Sequence, residues 1–275
     1  MRLQVGAFWA LVSAMFVIGR WSVVRDLALT DSDDFMRLAQ VRSWLAGQSW
    51  WDRTAYRLDP PGGLPLHFSR LGDVGVGLLD RVLSPLLGER LAEQAALIGY
   101  PLALFAVLVG LIAALAGRLG GPRAALPSAA LLLTAPLVLV QFFPGRIDHH
   151  GLQLVLVLAL LYTLTGPASV RSGALAGAFA ALSLAIGLET APYLAAAWAV
   201  VGLRWVLEGR AARPGLWGFA AGFGLGTPLL LAATVRPGEW GDGACTSLAS
   251  AHAVGAAAVS GAFALVSALG AVGLR

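Results

Sequence analysis

Eight long apolar runs dominate this chain, near residues 3–19, 94–117, 125–143, 151–166, 172–188, 191–207, 216–235 and 247–273. Each is close to the roughly 20 residues a helix needs to cross a hydrocarbon core about 30 Å thick. In lipid the backbone must satisfy its own N–H and C=O groups, so such runs are expected to be helical. Only 12% of the 275 residues are charged, whereas a soluble domain carries about a quarter. The expected fold is an all-α polytopic membrane protein with about eight transmembrane helices, forming a single transmembrane domain over 1–275.

Arginines set the expected orientation. The connections at 118–123, 171 and 204–213 hold Arg118, Arg123, Arg171, Arg204, Arg210 and Arg213. They alternate with arginine-poor turns, which places them and both termini in the cytoplasm, with the chain in a bacterial inner membrane. The first run lacks a small-x-small cleavage pattern and continues into Arg20, Trp21 and Arg25, as a retained signal anchor does. Residues 172–207 read as a hairpin, with Glu189 and Pro192 at its outer turn. The net charge of +4 is small and scattered, so the expected partner is membrane lipid and no nucleic acid. The lone Cys245 excludes an internal disulfide and a cysteine-built metal cage.

One large external segment results, residues 21–93, which holds ten of the fifteen acids. Within it "DSDDFMRLAQVRSWLAGQ" predicts an amphipathic helix. Thr30, Asp31 or Ser32 can cap it, acids fill its first turn, and Phe35, Leu38, Val41 and Leu45 share a face. Trp44, Trp50 and Trp51 suit a helix lying in the membrane interface. A Pro/Gly-rich loop, "RLDPPGGLPLHFSR", precedes a second amphipathic piece at 72–90.

Two acidic clusters flank this outer face. Asp31, Asp33 and Asp34 follow the first run, and "PGRIDHHGLQ" places Asp148, His149 and His150 between the third and fourth. Carboxylate with imidazole suits Mn²⁺ or Mg²⁺ when a phosphate supplies further oxygens, and Asp148 and His150 can reach one ion from a turn. Arg37, Arg57, Arg70 and Arg146 are external guanidiniums able to fork onto phosphate, and Arg146 stands two residues from Asp148. Glu189 is a further site acid at the third outer turn. These residues also have plainer uses: a helix cap for the aspartates, an interfacial turn for the histidines, snorkelling for the arginines.

"DSDDFMR" resembles the first external motif of the catalytic subunit of oligosaccharyltransferase, and "PGRIDHHGLQ" resembles the second, in the same order after the first and third apolar runs. The likeness is to the C-type glycosyltransferase superfamily and covers about residues 1–170. It implies a polytopic enzyme that takes its sugar from a polyprenyl-phosphate-linked donor at the external membrane face, with metal assistance. Asp31 then holds the place of the first-loop acid, a catalytic residue and metal ligand. Asp148 matches the first acid of the second motif, also catalytic and a metal ligand. His150 stands where that family has a second acid, completing the metal set. Arg146 and Arg37 become donor-phosphate groups, with Asp33, Asp34, His149 and Glu189 as further site residues. The family's subunit has more spans and an external C-terminal acceptor domain, so this chain is open to being a fragment, and peptide glycosylation is not expected of it.

A second class stays open: a non-catalytic polytopic protein, whether transporter, partner subunit or pseudo-enzyme. Transporters place charge at mid-membrane. Here charge gathers at the ends of the runs, and His252 reads as a packing hydrogen bond.

Overall fold

The structure, a computed structural model, describes residues 2–242 and 247–273, with side chains as far as Ala268. Cys245 lies outside the described residues. The chain is all-α apart from one short hairpin, and it divides into two compact units, Met1–Val155 and Leu156–Arg275.

In the first unit α1 (Arg2–Arg25) leads to α2 (Ser32–Leu45). A two-residue antiparallel pair follows, β1 (Thr54–Ala55) with β2 (Leu64–Pro65). Next come α3 (Val74–Leu87) and α4 (Glu89–Gly120). With 32 residues, α4 is about 48 Å long, well over a bilayer core. Trp9 Nε1 donates to the Leu102 carbonyl at 3.1 Å, and Phe16 and Phe105 pack with ring centroids 5.4 Å apart, which ties α1 to α4. Beyond them one end of this unit is closed by a core of Val24, Leu29, Leu38, Val41, Val76, Leu97 and Ile147.

The run 125–143 is not one straight helix. Short helices α5 (Ala125–Ala130) and α6 (Pro136–Leu139), extended by 3-10 turns, meet at a bend of 89°. Pro136 has no N–H to donate and pushes the preceding Ala135 out of the helical region, to φ −116° and ψ 69°. From residue 143 an irregular loop carries the second motif into α7 (His150–Leu164), a helix that runs into the second unit.

The rest of that unit is α8 (Val170–Ile186), α9 (Ala191–Glu208), α10 (Arg213–Thr234) and α11 (Ser250–Gly273). Glycines bring α8 and α10 together. A Cβ on Gly173 would meet the Phe219 N at 2.8 Å, and one on Gly177 the Phe223 N at 2.6 Å. Such close backbone approach substitutes for a hydrophobic driving force in lipid. The expected break before Glu189 is present, since Gly187 ends α8 and Leu188–Thr190 form a 3-10 turn.

Among the described residues, five helices are long and apolar enough to cross a membrane, and the bent pair makes a sixth if it crosses as one span. That makes the chain an integral membrane protein. The eight expected spans do not all meet this length. The fourth and fifth runs form helices of 15 and 17 residues, about 22 and 26 Å long. The amphipathic helix of the first motif is present, with Leu38 and Val41 buried while Phe35 stays 46% exposed. Among the described residues His252 makes no hydrogen bond to another helix. Its Nδ1 accepts the Ala249 N–H at 3.0 Å and so caps the start of α11.

Candidate functional site

The site begins with how α2 starts. Asp31 is the N-cap, extended at φ −121°, and its carboxylate accepts the Asp33 N–H at 3.0 Å, satisfying one orphan donor of the first turn. The same carboxylate reaches Arg146 Nη1 at 2.6 Å and remains 40% exposed. The Asp33 N–H, and after it Arg146, hold Asp31 below the usual carboxylate range.

One turn on, Asp34 is completely buried. Its Oδ1 accepts the backbone N–H groups of Ile147 and Asp148, each at 2.9 Å, and its Oδ2 accepts from Arg146 Nη1 at 2.9 Å. Asp34 thus clamps the loop of the second motif onto α2. Burial pushes its carboxyl up to about 6, against the pull of Arg146 and the two N–H groups. Gly145 allows the loop to turn there, with φ +88° and its N–H donated to the Leu97 carbonyl at 2.9 Å.

Arg37, three residues after Asp34, points inward with a side-chain exposure of 1%. Its Nε donates to Asp148 Oδ1 at 3.0 Å and its Nη1 to Asp73 Oδ1 at 3.1 Å, and its Nη2 lies 2.9 Å from His149 Nδ1, over the Phe68 ring. A Cβ at Gly72 would lie 2.5 Å from Nη1, so the guanidinium needs that glycine. Arg70 is equally buried and binds the carbonyls of Gln40 and Asp52, the Gln48 side chain and Asp73. Asp73 therefore sits between two arginines, yet full burial still raises its carboxyl above the usual range. Arg37 and Arg70, expected on the outside facing phosphate, are internal braces instead. Bidentate guanidiniums are the cations best able to be buried when several acceptors surround them.

Asp148 is the hub. Its Oδ1 accepts the His149 N–H at 2.7 Å and meets His149 Nδ1 at 2.6 Å, and its Oδ2 meets His150 Nε2 at 3.3 Å. Burial would raise this carboxyl, but His149 and Arg37 outweigh it and hold the group well below the carboxylate range. His149 Nδ1 faces both a carboxylate, which only accepts, and a guanidinium, which only donates, so it can serve one at a time. The shorter contact assigns the proton to Nδ1, toward Asp148. A carboxylate that holds the Nδ1 proton is the usual partner of a histidine that ligates a metal through Nε2.

Asp148, His149 and His150 each offer one ligand atom, and the three atoms lie within 4.8 Å of one another. Asp148 and His149 are buried, and the His150 side chain is 39% exposed. The group differs from the expected set of Asp31, Asp148 and His150, because Asp31 faces Arg146 and His149 takes the third place. Asp33 borders the cluster as a half-buried first-turn acid, with Ser32 Oγ at 3.4 Å from its carboxylate. Glu189 is exposed and belongs to the second unit. Asp73 and Phe68 complete the network without any mark in the local sequence, apart from the acid three residues after Arg70 in "RLGD".

Compared with known proteins, the chain matches no family model, no curated protein and no solved structure.

Proposed function

We propose that this chain is a membrane glycosyltransferase of the C type, which moves a sugar or glycan from a polyprenyl-phosphate-linked donor with the help of a divalent cation. The observation that carries this reading is the meeting of the two motifs. Asp31 and Asp34 grip Arg146 from one side, and Asp148, His149 and His150 gather two residues beyond it. In this reading the first-loop helix lies at the external face of a bacterial inner membrane, the arginine-bearing connections lie in the cytoplasm with both termini, and the bent and short helices complete eight spans.

The donor set tests the cation. Two imidazoles and one carboxylate suit a transition ion such as Mn²⁺ better than Mg²⁺, which prefers oxygen alone. Asp148, His149 and His150 would hold it. Bound there, it would supply Lewis-acid stabilisation of the charge that develops on the departing pyrophosphate. Arg146, held by Asp31, Asp34 and Gln141, would place its charge beside a donor phosphate. Arg37 leaves the phosphate role and fixes Asp148 in place. Asp31, ionised and partly exposed, would accept the hydrogen of the acceptor hydroxyl.

A non-catalytic protein is the second reading, and one observation favours it: the buried charges are heavily cross-braced, as a staple joining loop to helix would be. The two part on Mn²⁺ binding to detergent-purified protein, followed by loss of the free-ion EPR signal. The enzyme reading expects saturable binding that is lost in His150→Ala and kept in Asp31→Ala, strengthened by a polyprenyl pyrophosphate. Wild type that binds no Mn²⁺ with the lipid present overturns it in favour of the staple. Gel filtration of His150→Ala checks that the fold is retained.

A further inference from the structure

The other side of α2 carries a feature the ionic cluster does not use. Between α2 and the segment 48–66 lies a half-open cavity of about 190 Å³, with Phe35, Tyr56 and Leu58 exposed at its rim. Its walls include Phe35, Met36, Tyr56, Leu58 and Leu66, and Gln40 also lines it. Gln40 is only 4% exposed. Its Nε2 points at the Arg53 carbonyl, 3.4 Å away, which fixes the orientation of the amide. Its Oε1 is then buried with no hydrogen-bond partner. The neighbouring polar groups are engaged: Gln48 Nε2 donates to the Thr54 carbonyl at 2.9 Å and Gln48 Oε1 accepts from Arg70 at 3.0 Å. Ser43 Oγ donates to the Ala39 carbonyl at 2.9 Å. Arg57 borders the cavity but is exposed, so its charge stays hydrated.

A buried acceptor without a donor is unfavourable, and buried polar groups in folded proteins are nearly always satisfied. Ligand cavities typically combine apolar walls with a few placed polar groups. An engineered cavity of about 150 Å³ holds a benzene ring, so this one has room for a six-membered ring and a hydroxyl. We propose that the cavity binds an uncharged, phenol-like compound, with its ring against Phe35, Met36 and Leu66 and its O–H donated to Gln40 Oε1. This site is separate from the Asp148 cluster and does not depend on the glycosyltransferase reading. It predicts that a ligand able to donate is selected over one of the same shape that cannot.

The test uses ¹⁹F NMR of 4-fluorophenol and 4-fluoroanisole with the full chain in lipid nanodiscs. Wild type is expected to bind the phenol saturably and the anisole at least tenfold more weakly. Ala39→Phe alters an exposed position on the cavity wall, and it should fill the space and abolish phenol binding without loss of fold. Gln40→Leu should erase the preference for phenol. Equal binding of phenol and anisole by wild type, phenol binding that persists in Ala39→Phe, or no phenol binding at all would each overturn the proposal.

Discussion

Arg37 Nε lies 3.0 Å from Asp148 Oδ1, with side-chain exposures of 1% and 3%. The pair joins the helix of the first motif to the loop of the second across 111 residues of sequence. Removing one partner of a buried pair leaves the other charge desolvated and unpaired, at about 3–5 kcal/mol. Arg37→Met is therefore expected to destabilise the protein by several kcal/mol in denaturant titrations monitored by tryptophan fluorescence. Glu208→Gln breaks the half-exposed Arg204–Glu208 pair, 3.0 Å apart, and should cost no more than about 0.5 kcal/mol. Equal losses in the two variants would show that the buried network is not a brace.

Asp34 makes a pH prediction with a definite sign. Folded, its carboxyl is pushed up to about 6 by burial, while an unfolded aspartate titrates near 4. Between these values the folded chain binds the extra proton, so this group's contribution to stability falls as pH rises from about 4 to about 6, and is constant above. Asp73, which burial also raises, adds slope of the same sign. Asp148 runs the other way, since its carboxyl is held low: its contribution is present above about pH 4 and lost below, outside this window. The readout is the difference between wild type and Asp34→Asn, and the variant should have the flatter profile between pH 4 and 6. A variant profile as steep as wild type would remove Asp34 as its source.

The contact of α8 with α10 yields a packing prediction. A Cβ on Gly218 would run into the Val170 carbonyl and come 2.8 Å from the Ala174 N, both backbone atoms that cannot swing aside. Gly218→Ala should force the helices apart and destabilise by about 1–3 kcal/mol. Gly110→Ala in α4 adds its methyl where nothing lies within 4 Å, and should leave stability unchanged or raise it by up to about 1 kcal/mol through helix propensity. Thermal unfolding of both variants in the same detergent decides this. A Gly218→Ala protein as stable as wild type would mean that the helices do not pack this tightly.

Local features of the molecule were legible in sequence, and long-range ones were not. The apolar runs announced helices, and Thr30, Asp31 and Ser32 announced a cap for α2 without saying which of them makes it, because both features depend on neighbours within a few residues. The third run reads as one straight span, and the 89° bend at Pro136 depends on whether packing straightens or accepts a kink there. Asp34 looked like one acid in a cluster. Its clamp on the N–H groups of Ile147 and Asp148 spans more than 110 residues, and nothing in either segment encodes that pairing. Arg37 and Arg70 misled for a physical reason. An arginine in an external loop is usually solvated, and only tertiary structure shows acceptors closing round it.

In the proposed cation site, His150 separates the ligand chemistry from that of an all-carboxylate one. Its Nε2 lies 3.3 Å from Asp148 Oδ2 and its side chain is 39% exposed, so the position accepts substitution without unburying the network. As an imidazole it favours transition ions, and as a carboxylate it would favour hard ions such as Mg²⁺. In a competition between Mn²⁺ and Mg²⁺, read by EPR, His150→Asp should lower the Mg²⁺ concentration needed to displace half the Mn²⁺ by about tenfold or more, which is about 1.4 kcal/mol of relative affinity. His150→Gln, neutral and oxygen-donating, should fall between the two. If all three proteins exchange the ions at the same concentrations, His150 is not a ligand, and any bound Mn²⁺ rests on Asp148 and His149 without it.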